Sequence, residues 1–253
     1  MSYTVDAVIK AMELLFLVAE DPGLGVTEIA RRSGNTKARA FRLLGTLEES
    51  GLVRRQDPFA TYELGHRVLF LGAAAQEQIS LVRIAKPLLE ELGQQCSESV
   101  LVRIRDGLET VCVAWRDASH AIRIHNQFGD RRPLYSGASG KLLLAYAPDE
   151  IQDVVLKGKR EQFTPNTITK RGPLEKELEK IRKDGYSISS GEKLADTVAV
   201  AAPILDAQGT VIASLSMTAP SSRVSKSDLS KYVKLVTASA RKFSAKLGYI
   251  EKS

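Results

Sequence analysis

The sequence predicts an α+β chain in two parts: a small helical part closed by a hairpin, then a larger antiparallel sheet flanked by helices. Two patterns carry this. Apolar residues recur at helical spacing from Val5 to Leu47. After Glu98, short alternating runs separated by turn residues take over. The length of 253 residues suits one large domain or two ordinary ones.

In the first part, Val5, Val8, Ile9, Met12, Leu15, Phe16 and Ala19 predict a helix from about Thr4 to Glu20, and DPGLG (Asp21–Gly25) breaks it. Thr27 is the expected N-cap of a short helix with Ile29 and Ala30 inward, ended by Gly34. Asn35 or Thr36 starts the next helix. Ala40, Leu43, Leu44 and Leu47 share one face of it; at about 100° per residue, Arg42 falls on the opposite face, with Lys37 and Arg39 on the shoulders. LVRRQDPFATYEL after Gly51 reads as two strands around an Asp57-Pro58 turn. Helix, short helix, turn, helix, hairpin is the order of a winged helix-turn-helix, whose second turn helix enters the major groove of double-stranded DNA. The charge agrees: residues 31–55 carry seven basic residues against Glu48 and Glu49, a net of +5, while residues 1–66 are net −1. Focused positive charge is what phosphate neutralisation needs. The DNA-facing candidates are Thr36, Lys37, Arg39 and Arg42 on the helix and Arg54 and Arg55 on the wing.

YELGHRVLFLGAAAQEQ and SLVRIAKPLLEELGQQ then read as two helices in series, a connector. Ser80 is an expected cap, Leu81, Ile84, Leu88, Leu89 and Leu92 are spaced for burial, and Pro87 predicts a kink or a helix start. SVLVRIRDG and ETVCVAWRD form a hairpin around Asp106-Gly107, and AIRIHNQFGDRRP is read as a further strand. A helix follows from about Ser139. RGPLEKELEKIRKDGY is a helix with Leu174, Leu178 and Ile181 inward, ended by Gly185. YSISSG and VAVAAPILDAQGTVIASLSM supply strands, with a hairpin turn at Asp206–Gly209, and an amphipathic helix from about Lys226 to Leu247 closes the chain.

Composition sets the class. The chain is 43% hydrophobic and 26% charged, ordinary for a globular protein, and its net charge of +6 favours an anionic partner. Cys96 and Cys112 give neither a disulfide framework nor a zinc pattern, so a reducing compartment fits. The apolar run Leu14–Ala19 is too short for a signal peptide, and Val68–Ala75 is too short for a membrane span. The expectation is a cytoplasmic protein with no membrane partner, no cofactor and no metal. GASGK (Gly137–Lys141) is not a nucleophile elbow, because Lys141 stands where Gly is required, nor a P-loop, because Tyr135 does. The three histidines, His66, His120 and His125, complete no catalytic set, and with the cysteines match no metal spacing.

VTEIARRSG, FRLLGTLEESGLVRR and TYELGHRVLFLG, followed by RPLYSGASGKLLLAY, FTPNTIT, IRKDGYSIS and VAVAAPILDAQGTVIASLSMTAPSSR, resemble the IclR family of bacterial transcriptional regulators over essentially the whole chain. The resemblance implies a winged helix-turn-helix (1–65), a linker helix (66–80) and a GAF-like effector-binding and oligomerisation domain (81–253). It implies a homodimer or a tetramer built as a dimer of dimers, and control of a catabolic operon by a small organic or aromatic acid. It places the effector site on Ile124, Ala138, Ser139, Ser189, Thr197, Ala199, Ser216 and Thr218, with a helix N-terminus at Ala138–Ser139 offering amides to an anion. Asp196 replaces a frequent family Gly, Ser189 stands where an acid occurs, and Ala38-Arg39 replaces small hydroxyl residues. Arg123, Arg131 and Arg132 are further candidates to meet a carboxylate. A ligand-independent DNA-binding protein, its larger domain serving only oligomerisation, is the alternative.

Overall fold

The computed structural model describes residues 4–78, 80–120, 123–124 and 126–250. The chain divides into two compact units, Met1–Ile79 and Ser80–Ser253.

The first unit holds α1 (Asp6–Glu20), β1 (Leu24–Gly25), α2 (Val26–Arg32), α3 (Lys37–Glu49), β2 (Val53–Gln56), β3 (Thr61–Leu64) and α4 (Arg67–Gln78). Leu14, Val18, Ile29, Ala30, Ala40, Leu44, Leu47, Val53 and Tyr62 form its core. The strands are antiparallel in the order β1-β3-β2, so the wing hairpin is tied back to the segment before α2. That short strand was not foreseen, and it moves the start of α2. Gly25, paired with Thr61, takes the N-cap position, so Thr27 lies inside the helix rather than capping it. Thr36 does cap α3, its hydroxyl accepting from Arg39 N at 3.2 Å. The apolar stripe picked out on α1 is a second correction. Leu14 and Val18 are buried, whereas Val5, Val8, Ile9, Met12 and Phe16 are exposed, Phe16 by 63%. The helix has two apolar faces, and this unit uses one.

The second unit opens with α5 (Ser80–Cys96), which runs uninterrupted through Pro87, so no helix starts there; Leu88, Leu89 and Leu92 are buried and Leu81 and Ile84 partly so. The cap expected of Ser80 lies outside the described side chains. Then come β4 (Ser99–Asp106), β5 (Glu109–Arg116), β6 (Arg131–Pro133), α6 (Ala138–Ala145), α7 (Asp149–Lys157), α8 (Arg171–Asp184), β7 (Ser187–Ser190), β8 (Thr197–Leu205), β9 (Val211–Pro220) and α9 (Lys226–Lys246). Among the described residues the strands form one antiparallel sheet, ordered β6-β5-β4-β9-β8-β7.

The alternation of side chains along a strand sorts this sheet into two faces. Val100, Val102, Val200, Ala202, Ile204, Ala213, Leu215, Met217 and Ala219 pack with α5 and α9 in one core. On the opposite face Ala201 joins a second core with Leu142, Leu144, Leu174, Leu178 and Ile181 of α6 and α8. β9 therefore sends hydrophobes to α9 and Ser214, Ser216 and Thr218 to the other side.

Two expectations are corrected here. Among the described residues Arg123 and Ile124 are not in a strand, and of this run Arg131–Pro133 pairs with β5. Ser99 Oγ and Asn126 Nδ2 donate to the Ile124 carbonyl instead, and Gly129 turns the chain. Ala121, Ile122 and His125 lie outside the described residues. α7 was overlooked, although Asp149 and Glu150 in its first turn and Lys157 in its last suit the helix dipole.

Candidate DNA-binding surface and ligand cleft

In the first unit, the fold gives the basic residues unequal freedom. Arg39 is ion-paired with Asp6 of α1, and Arg54 with Glu63 across the wing. Arg55 lies 3.9 Å from Asp57, and its backbone N donates to Glu48. Arg31 and Arg32 both hold Glu28, and Arg32 also holds Asp21. These two arginines pull the Glu28 carboxyl down to about 2. Lys37 and Arg42 are exposed, and neither side chain has a protein partner among the described residues. The net of +5 counted along the sequence is thus mostly neutralised by carboxylates outside that window. Lys37 and Arg42 remain as the unpaired cations of α3.

In the second unit a cleft with a cavity volume of about 40 Å³ opens between the sheet and the start of α6. Ile124, Ala138, Ser139, Ser189, Thr197, Ala199, Ser216 and Thr218, named in advance from sequence, all line it. Backbone geometry builds its floor. Gly137 has φ +79, which lets the chain turn sharply into α6. A Cβ on Gly140 would lie 2.8 Å from the Pro133 carbonyl, so only glycine lets α6 approach β6 this closely. Ser139 Oγ donates to Ser216 Oγ at 3.0 Å, joining α6 to β9.

The start of α6 departs from expectation. Gly137 N is already occupied, donating to Glu192 Oε2 at 3.1 Å. Glu192 also receives the Lys141 ammonium at 2.6 Å, and Lys141, only 1% exposed, reaches Glu177 at 2.7 Å and the Ile188 carbonyl at 3.0 Å. This buried network fixes the loop after β7 to α6 and α8. The amides of Ala138, Ser139 and Gly140 find no acceptor among the described residues and stay available.

The lining also includes Arg103, Thr110, Arg132, Ser136, Lys193 and Leu194. Of the arginines weighed from sequence, Arg132 faces the cleft, Arg131 is bound at the surface by Asp106 and Glu109, and Arg123 lies beside Asp117. Asp196 is exposed and does not line the cleft. Arg103 and Lys193 were missed. Arg103 alternates with hydrophobes as a solvent-facing strand residue would, and nothing in EKLAD marks Lys193 as inward. Arg103, 2% exposed, is held by Asp130 and by Thr110 Oγ1 at 3.0 Å. Ser136 Oγ and Thr218 Oγ1 are buried with no hydrogen-bond partner among the described residues, which costs stability unless a visitor satisfies them.

Among the described residues no group of three or more metal-type ligands converges. Cys96 and Cys112 are buried, and burial pushes both thiols up, away from the reactive thiolate. No helix among the described residues is long and apolar enough to cross a membrane.

Comparison with known proteins decides the affiliation. The IclR helix-turn-helix domain model matches residues 7–57, and the model for the C-terminal domain of bacterial IclR transcriptional regulators matches residues 73–245. The chain belongs to the IclR family. The HTH-type transcriptional regulator KdgR of Escherichia coli is 31% identical, over 97% of this chain and 94% of that protein. The HTH-type transcriptional repressor AllR of Escherichia coli is 29% identical, over 93% and 87%. The crystal structure of an IclR-type transcriptional regulator from Alicyclobacillus acidocaldarius superposes with a TM-score of 0.88 at 28% identity, covering 97% of this chain and all of that one. The IclR proteins are DNA-binding transcriptional regulators, not enzymes, and this chain is one of them.

Proposed function

We propose that this IclR regulator is a ligand-responsive repressor of a catabolic operon, acting in the cytoplasm. α3 lies in the major groove, with Thr36, Lys37, Arg39 and Arg42 toward the DNA and Arg54 and Arg55 on flanking phosphate. A small organic acid enters the cleft of the second unit. The working boundaries are 1–65 for DNA binding, 66–80 for the linker helix and 81–253 for effector binding and oligomerisation. Ligand binding biases the connector from Glu63 to Gln95 and so the spacing of two reading heads on a pseudo-palindromic operator; such coupling is commonly about 1–3 kcal/mol. The carrying observation is a cleft with unpartnered buried hydroxyls and cations in its lining, in a chain that also presents a helix-turn-helix. That AllR bears the name repressor supports the direction of control. The bare apolar face of α1, together with exposed Leu69, Phe70 and Leu71 of α4, supports a homodimer through the first unit, from which a dimer of dimers is built.

Fluorescence anisotropy with the DNA upstream of the protein's own gene tests this reading, by salt titration followed by a panel of aliphatic and aromatic carboxylates. Sequence-specific binding relieved by one acid is the expected result. Specific binding that no compound alters favours a ligand-independent DNA-binding protein. Equally weak binding to all DNA rejects the groove assignment.

A further inference from the structure

We infer that Lys193, seconded by Arg132, is the carboxylate anchor of this cleft, and that the acid it selects is a hydroxylated aliphatic acid. The inference rests on the cleft being the effector site.

Charge comes first. Three cations line the cleft, Arg103, Arg132 and Lys193, and no carboxylate among the described residues lines it with them. They are not equally free. Arg103 spends its guanidinium on Asp130, the Asp130 carbonyl, and Thr110. Arg132 shares that same carboxylate through Nε at 2.9 Å, and its two terminal nitrogens have no partner among the described residues. One carboxylate thus serves two guanidinium groups and leaves a positive surplus. Lys193 has no carboxylate within ion-pair distance among the described residues. Its ammonium sits 3.0 Å from the centroid of the Phe163 ring, itself stacked on Tyr135. Burial holds the ammonium below the usual lysine range; the charge of Glu161 opposes this, Arg132 adds to it, and Asp130 opposes it. An anion placed between Lys193 and Arg132 relieves both the poor solvation and the repulsion. The open amides at the start of α6 add to the same positive field.

The neutral lining then narrows the class. Ser136 and Thr218 are 2% and 9% exposed, and their hydroxyl oxygens have no partner among the described residues. A hydroxylated chain satisfies them; a bare ring leaves them orphaned.

Calorimetry and thermal denaturation of the full-length protein test this with D-gluconate as probe and sorbitol, which has the hydroxyls without the carboxylate, as control. Gluconate is expected to raise the melting temperature and sorbitol to leave it unchanged. Lys193→Met should weaken gluconate about tenfold or more, because a charge-assisted bond is lost, and Lys193→Arg should keep most of the affinity. Thr218→Val should weaken gluconate but not 4-hydroxybenzoate. Both lysine variants should bind DNA like the parent when no acid is present. Gluconate binding that Ser216→Leu blocks but Lys193→Met leaves intact overturns the anchor and keeps the cleft as effector site. If only 4-hydroxybenzoate binds, and Ser216→Leu blocks it, the hydroxylated class is overturned. If neither acid binds, or Ser216→Leu blocks nothing, the cleft reading falls and this inference falls with it.

Discussion

The carboxylate of Asp6, in the first turn of α1, holds the guanidinium of Arg39, in the first turn of α3. A residue expected to face DNA is thereby committed to a neighbouring helix 33 positions away. Arg39 pulls the Asp6 carboxyl below its ordinary value. The pair competes with phosphate for the same arginine. Asp6→Asn should free Arg39, tighten binding to operator and random DNA alike by a few-fold, and steepen the dependence on salt by about one unit of slope. Electrophoretic titrations at several salt concentrations check this; an unchanged slope means Arg39 does not reach the backbone.

Arg42 lacks such a competitor. Arg42→Ala should weaken binding to every DNA and flatten the salt slope by about one unit. It should do so more than Arg54→Ala, whose arginine must first leave Glu63. Equal effects would show that the ion pairs seen without DNA do not limit binding.

Glu28 offers a test in pH. Its folded value of about 2 lies below the ordinary 4.5, so the ionised form is favoured by the fold. The associated stabilisation is present above about pH 4.5 and disappears as the pH falls toward about 2. Because the group is exposed, the effect on stability should be small. Carboxyl NMR should place the Glu28 midpoint near 2, and Arg31→Ala should move it upward. A midpoint near 4.5 in the parent would mean the bidentate contact does not form in solution.

Lys141 is a different case, because its charge is buried with two glutamates. Lys141→Met leaves Glu192 buried without its cation and should cost about 3–5 kcal/mol in chemical unfolding. Pairing it with Glu192→Gln should recover part of that loss. A loss below about 1 kcal/mol for the single change would mean that water already reaches the cluster.

Ser216 binds Ser139 across the floor of the cleft. Ser216→Leu fills that space, so it should abolish the response to acid while leaving DNA binding in the absence of acid unchanged. A variant that still responds removes Ser216 from the site.

Local signals were legible in the sequence, and long-range partners were not. The cap at Thr36, the hairpin turns and the inward faces of α3 and α8 follow from spacing and turn chemistry, and there the structure agrees. The eight cleft residues were placed by resemblance, not by spacing. The run through Ile124 misled because β-branched residues suit a strand, while the carbonyl there is taken by side chains of Ser99 and Asn126. Counting charge from 31 to 55 misled because the neutralising partners Asp6, Asp21, Glu28 and Glu63 lie outside that window. Arg103 escaped notice because a strand with alternating arginine looks half solvated, and only the covering by α6 makes that face an interior.

β9 also bears on how such a protein can diversify. Its hydrophobic residues serve the core against α9, and Ser216 and Thr218 between them serve the cleft. The two sets are interleaved with a period of two, so a slip of one residue would exchange them wholesale. An inserted or deleted residue in this strand would ruin folding and recognition together. New ligand preferences are open to this lineage through side-chain replacement at every second position, and closed to it through changes in strand length.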